Sequence, residues 1–134
     1  MRVTMRNHLY LALLTTLTCM AGEATAMTYP QCNAMASQIN KSLPMDIDAV
    51  TKMKSVICLP GKVKPTLMYL YEIDSSNLPS VSASDLLTLR PNMVESWCSM
   101  PTQLDLLRQV NVLYNYRKLS GRFIGEIKIS EDDC

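Results

Sequence analysis

Histidine is almost missing from this chain. The single copy, His8, stands in an N-terminal stretch that reads as an export signal, so the mature sequence has no imidazole. Its absence removes the usual general base near neutral pH. It also excludes Ser-His and Cys-His dyads and any zinc site with a histidine ligand. Other signatures are missing too. There is no S-x-x-K for a serine nucleophile, no C-x-x-C for redox or zinc chemistry, and no P-loop or G-x-G-x-x-G. Of four glycines only Gly61, Gly121 and Gly125 lie beyond the export signal. Without Arg2, Arg6 and Glu23 the chain keeps eleven basic and eleven acidic residues. It has no basic field for nucleic acid and no polybasic face for anionic lipid. No cofactor is implied.

What is present begins with Arg2 and Arg6, the uncharged run LYLALLTTLTCMAG from Leu9, and then Ala24-Thr25-Ala26. A basic start, a short apolar run and a small-residue exit read as a secretory signal peptide over residues 1–26. The run falls short of the roughly 20 residues a spanning helix needs. No stable membrane insertion is therefore expected after cleavage; an uncleaved anchor is the alternative. A lipid anchor at Cys19 is disfavoured, because Thr16-Leu17-Thr18 lacks a small residue just before the cysteine. Residues 27–134 then form a single domain of 108 residues, large enough for its own core and periplasmic or secreted.

That domain holds four cysteines, Cys32, Cys58, Cys98 and Cys134. An even number in an exported domain reads as two disulfides. Spacing allows three pairings; the one adopted joins Cys98 with Cys134 and Cys32 with Cys58. The first would fasten the closing KISEDDC, where a chain normally frays, to a helix. Glu131 to Asp133 read as a solvated tail leading to that bridge. A metal site is not expected.

The pattern along the chain predicts an α+β fold in the order α-β-β-α-α-β-β. YPQCNAMASQINKSLP carries Cys32, Met35, Ala36, Ile39 and Leu43 at helical spacing. Asn40-Lys41-Ser42 matches a glycosylation sequon, which on a helix reads as chance. IDAVTKMKSVIC alternates, with Ala49, Met53 and Ile57 on one side and Lys52 and Lys54 on the other. After Pro60-Gly61 comes a strand with Leu67, Tyr69, Tyr71 and Ile73 on one face. Pro91 and Pro101 divide SDLLTLRPNMVESWCSMPTQLDLLRQ into two or three short helices. Two more strands follow. One carries Val112, Tyr114 and Tyr116; the other points Phe123, Ile127 and Ile129 inward. Gly125 in mid-strand marks a bulge or a close neighbour. Two hairpins and two helical blocks predict a four-stranded antiparallel sheet with helices packed on one face, stapled by disulfides.

Three groups of residues carry candidate chemistry. The tyrosines Tyr69, Tyr71, Tyr114 and Tyr116 read as core-facing strand residues rather than a binding patch. The opposite face would show Val50, Val56, Met68, Leu70, Leu113 and Ile124 among Lys52, Lys54, Asn115, Arg117 and Glu126. That is more apolar than a solvated face needs; it reads either as a partner surface or as a second covering element or scattered surface apolars. Lys52, Lys54, Leu70, Leu113 and Arg117 are the candidate contacts of the partner surface. Lastly, Asp46 with Asp48 and Glu72 with Asp74 are spaced as paired carboxylates, but lie at strand ends where acids are simply solvated. The scattered methionines read as core filling rather than copper ligands.

The C-terminal LYNYRKLSGRFIGEIKISEDDC resembles the ending of small exported proteobacterial proteins of uncharacterised function. Their pattern is Y-x-Y, a turn with Gly, a final strand and a terminal Asp-Cys. The N-terminal C-x6-I-N-x2-LP and a cysteine in the middle helix also fit, whereas Cys58 is an addition to the pattern. The resemblance implies residence in the periplasm or outside a Gram-negative cell, and it brings no catalytic residues. The reading is a non-enzymatic protein-binding module: an inhibitor or immunity protein, or an accessory of an envelope secretion system. Its partner would be another envelope or secreted protein, or a second copy in a homodimer. The alternatives are a small envelope hydrolase using Glu72, Asp74 or Asp46, and a small-ligand carrier.

Overall fold

The computed structural model describes residues 25–76 and 80–134. Most of the expected signal peptide, residues 1–24, lies outside them. The first helix, α1 (Tyr29–Asn40), starts where Thr28 and Gln31 form a capping box, with Pro30 in the first turn. Cys32 and Ala36 are buried on one face, and Met35 and Ile39 pack beside them. A two-residue strand β1 (Met45–Asp46) leads into β2 (Thr51–Leu59) through a turn that Asp48 closes. Its Oδ1 accepts from the backbone N–H groups of Val50 and Thr51 at 2.9 and 2.7 Å, an Asx turn. The next turn needs Gly61, since a Cβ there would stand 2.1 Å from the carbonyl oxygen of Lys64. The chain returns as β3 (Thr66–Ile73).

Three helices then cross over: α2 (Ala83–Leu87), α3 (Arg90–Ser99) and α4 (Pro101–Gln109). Ser82 caps α2 in a box with Asp85, and Pro91 and Pro101 occupy the first turns of α3 and α4. β4 (Asn111–Lys118) and β5 (Phe123–Ile129) complete a five-stranded sheet in the order β1-β2-β3-β4-β5. A 3-10 turn, Glu131–Asp133, follows.

The class is α+β, as the pattern predicts, but the sheet is mixed. β3 and β4 run parallel, pairing Thr66 with Asn111 through to Ile73 with Lys118. The helical block carries the chain back along the sheet before β4 begins, so the two hairpins are joined by a crossover rather than a third antiparallel turn. The fifth strand, β1, is too short for alternation to reveal.

The helices cover one face of the sheet. Their buried side chains, Cys32, Ala36, Leu86, Trp97 and Leu107, form one core with Val56, Leu67, Tyr71, Ile73, Val112, Tyr114, Tyr116, Ile127 and Ile129. Each fully buried aliphatic side chain contributes about 1.5–3 kcal/mol relative to exposure. Gly125 lets α2 approach: a Cβ there would meet Leu86 and Ala83 at 3.2 and 3.3 Å.

Two bulges overturn parts of the expected alternation. In β2, Met53 faces Tyr71 and Ser55 faces Leu70, leaving Lys54 as the extra residue. Val56 and Cys58 therefore turn inward, and Ile57 turns outward with 43% exposure. In β5, Gly125 faces Tyr116 and Phe123 faces Arg117, with Ile124 extra. Phe123 is thus outward and exposed, and Ile124 packs against the core.

Disulfides join Cys32 to Cys58 and Cys98 to Cys134, with Cα–Cα separations of 5.8 and 5.4 Å. One pins α1 to β2; the other pins α3 to the segment after β5. The closing acids are exposed, as a solvated tail would be, but two of them also meet cations. Arg90 binds Asp133 at 2.6 Å, and Lys64 and Arg108 approach Glu131 at 3.7 and 3.9 Å. The solvated tail leading to the bridge is therefore also held by ion pairs, of which periodicity carries no sign.

Candidate interaction surface

The inner face holds a row of stacked tyrosines. Alternation puts them on one side of two strands, and the parallel register sets Tyr69 beside Tyr114 and Tyr71 beside Tyr116. Ring centroids lie 5.2 Å apart in both pairs, and Tyr71 also meets Tyr114 at 5.6 Å. The Trp97 indole N–H donates to the Tyr114 hydroxyl at 2.8 Å in the core. Burial, reinforced by Tyr114 alongside, pushes Tyr69 and Tyr116 up to about 12. Burial likewise raises Tyr71 and Tyr114, with the Trp97 hydrogen bond opposing it at Tyr114. Phenols so far above neutral pH are packing elements, not proton donors.

The outer face is built in cross-strand rows. Lys52, Glu72, Arg117 and Phe123 form the first; Ser55, Leu70, Asn115 and Glu126 the second; Ile57, Met68, Leu113 and Lys128 the third. Leu113 is 9% exposed, yet it is the buried apolar side chain that stands outside the helix-covered core. Among the described residues, then, the outer face carries an apolar centre with a charged rim. Arg117 donates to the Asn115 side chain at 3.2 Å and lies 6.0 Å over the Phe123 ring.

Of the residues expected to form a partner surface, Lys52, Leu70, Leu113 and Arg117 share this face. Lys54 stands exposed at the β2 bulge, beside the rows rather than in one. Val56 and Ile124, also expected here, are turned inward by the bulges. Ile57 and Phe123 are the additions. Gly125 was the only sequence signal near either bulge. At one end the face runs into a cavity of about 570 Å3, lined by Leu59, Thr66, Asn111 and Leu113 and walled by Arg90 and Asp133.

The sheet edge beside this face is closed at one point. The Asn40 side chain donates to the Val56 carbonyl at 2.7 Å and accepts from its N–H at 2.8 Å. Its amide stands in for a neighbouring strand. That engagement, rather than glycosylation, accounts for an asparagine here.

The expected carboxylates converge more than the sequence implied. Asp46, Asp48, Glu72 and Asp74 line one open cleft of about 160 Å3 with Lys52. Hydrogen bonds from Val50 and Thr51 hold Asp48 below the usual carboxylate range. The Ser76 hydroxyl and N–H do the same for Asp74. Both stay ionised and serve turns, the reverse of a carboxyl kept protonated as a general acid. Among the described residues no group of three or more His, Cys, Asp or Glu is placed to hold a metal ion.

No family model and no curated protein matches this chain. Solved structures share its fold. The type 2 secretion system pilotin EpsS from Vibrio vulnificus aligns over 79% of this chain and 90% of its own, with a TM-score of 0.61 and 13% identity. A Pseudomonas aeruginosa protein described as secreted aligns over 83% and 99%, at 0.59 and 14%. The type II secretion system pilotin AspS from Vibrio cholerae aligns over 79% and 91%, at 0.55 and 13%. At these identities the likeness is one of fold. The two disulfides fit an envelope or secreted protein, and no helix of the described residues is long and apolar enough to cross a membrane.

Proposed function

We propose that this chain is a non-enzymatic envelope protein that serves a secretion system as a pilotin-like accessory. The observation that carries this reading is the shared fold with two type 2 secretion pilotins over about four-fifths of the chain. The outer sheet face supports it, because an apolar centre with a charged rim suits a protein partner better than a substrate. The partner is another component of that secretion system, and Lys52, Lys54, Leu70, Leu113 and Arg117, together with Ile57 and Phe123, are its proposed contacts. The ionised turn carboxylates count against a carboxylate hydrolase.

Deleting the gene in its native host and measuring export of type 2 substrates tests the reading. Export should fall. The unaltered gene should restore it, and a Leu70→Glu version that still accumulates folded should not. Unchanged export in the deletion strain would refute it. The likeness to a secreted Pseudomonas protein favours a second reading, release from the cell. Fractionation separates the two: an accessory stays with the envelope, and a secreted protein collects in the medium.

A further inference from the structure

The two disulfides sit in different surroundings. Cys32 and Cys58 are 0% and 6% exposed, inside the core between α1 and β2. Cys98 is only half-buried, and Cys134 is exposed. The Cys98–Cys134 bridge also holds a wall in place, since Ser130, Asp132 and Asp133 line the 570 Å3 cavity at the end of the outer face. Little else holds that wall. Arg90 binds Asp133 at 2.6 Å, with side chains 38% and 25% exposed. Glu131, half-exposed, stands 3.7 and 3.9 Å from its two cations. Ion pairs of this kind contribute little individually. The hydrogen bonds within residues 130–134 are local to the turn, so the disulfide is the covalent restraint that ties this segment to α3.

Thiol–disulfide exchange requires access to a sulfur in line with the attacking thiolate. The residues of the outer bridge are the more exposed and those of the core bridge are buried, which favours attack at the outer bridge. We propose that Cys98–Cys134 is a reducible latch on the cavity wall, whereas Cys32–Cys58 is a permanent staple. The reductant is a dithiol. One of its thiolates attacks the sulfur of the exposed residue Cys134, the S–S bond breaks, and Cys98 leaves as a thiolate that takes up a proton. The second thiol of the reductant then resolves the mixed disulfide. Two electrons and two protons have passed to Cys98 and Cys134, and the dithiol has become a disulfide. Residues 130–134 are now free to leave, and the Leu59, Leu113 and Ile129 lining opens to solvent. This inference does not depend on the pilotin-like reading.

The test is a timed dithiothreitol titration of the oxidised protein. Alkylation quenches each point, mass spectrometry locates the labelled cysteines, and amide hydrogen exchange is followed in parallel. Cys98 and Cys134 should be labelled at least about tenfold faster than Cys32 and Cys58, in proportion to access. The half-reduced protein should keep its circular dichroism and lose exchange protection at residues 128–134 and the start of α3 alone. A Cys98→Ser/Cys134→Ser variant should show the same local loss without reductant. Equal labelling rates, global unfolding on reduction of the outer bridge, or an exchange pattern unchanged in both the reduced protein and the variant would each overturn the proposal.

Discussion

The two faces of the sheet are made by the same strands, one residue out of step, and they are built to different ends. The inner face stacks Tyr69, Tyr71, Tyr114 and Tyr116 under helices, the last three buried and Tyr69 partly so. The outer face sets Ile57, Met68, Leu70 and Leu113 inside a rim of Lys52, Glu72, Arg117, Glu126 and Lys128, with no helix of the described residues adding to its apolar centre. Leu113 shows the contrast best. It is as buried as Tyr114 next to it, but it stands outside the helix-covered core. Burial by a helix contributes to folding; an apolar centre left at the surface offers burial to something that arrives later.

The largest expected effect follows directly. Leu67 is 0% exposed on the inner face, so Leu67→Ala should cost about 2–5 kcal/mol in lost burial and cavity formation. Leu70→Ala, three residues along on the outer face, should cost under about 1 kcal/mol, as surface truncations do. Urea denaturation of both variants measures the difference. Equal losses would mean that the outer face is covered after all.

Alkaline pH separates the faces differently, because only the inner one buries phenols. An unfolded tyrosine ionises near pH 10, whereas Tyr69 and Tyr116 are held up to about 12 by burial and by Tyr114. A folded-state pKa above the unfolded one contributes stability that is complete below about pH 10 and lost as pH rises through the folded value. Stability should therefore fall between about pH 10 and about 12, with tyrosinate absorbance appearing together with the loss of circular dichroism. Tyrosinate that forms while the fold stays intact would show the stack to be open to water. A smaller change tests its anchor. Tyr114→Phe removes the acceptor of the Trp97 N–H and should cost about 1–3 kcal/mol for the unpaired buried donor. With one tryptophan in the chain, its fluorescence reports that site directly.

Much of this comparison was legible beforehand, for a physical reason. Period-2 alternation in KPTLMYLYEID and VNVLYNYRKL is long and unbroken, so the tyrosine face and its helical cover follow from pattern alone. Three things were hidden. A bulge adds one residue without altering composition, so Lys54 and Ile124 exchanged the faces of Val56 and Ile57 and of Phe123 and Ile124. The direction of β4 depends on where a helical block ends in space, which no local spacing encodes. The acids at Glu131 and Asp133 meet Lys64, Arg90 and Arg108, cations from far along the chain. Asp46, Asp48, Glu72 and Asp74 were singled out as pairs, but their convergence in one cleft requires the register of β1, β2 and β3.

Arg117→Glu should have the smallest effect on folding and the sharpest effect on recognition. Arg117 is exposed, accepts nothing, and gives up only a hydrogen bond to Asn115, one to the Gly121 carbonyl and its position over Phe123. An exposed cation–π contact contributes about 0.5–1 kcal/mol, so the denaturation midpoint should move little. If the outer face is the docking surface, reversing a rim charge beside Leu70 and Leu113 should weaken binding by tenfold or more, mostly by placing like charges across the interface. Arg117→Lys should retain part of the affinity, since it keeps the charge and loses the planar fork. Calorimetric titration against the captured partner would resolve the series. Binding that ignores Arg117→Glu but fails on an inner-rim substitution such as Tyr69→Ala would move the docking surface to the helix side, and the outer face would then be only the uncovered side of the sheet.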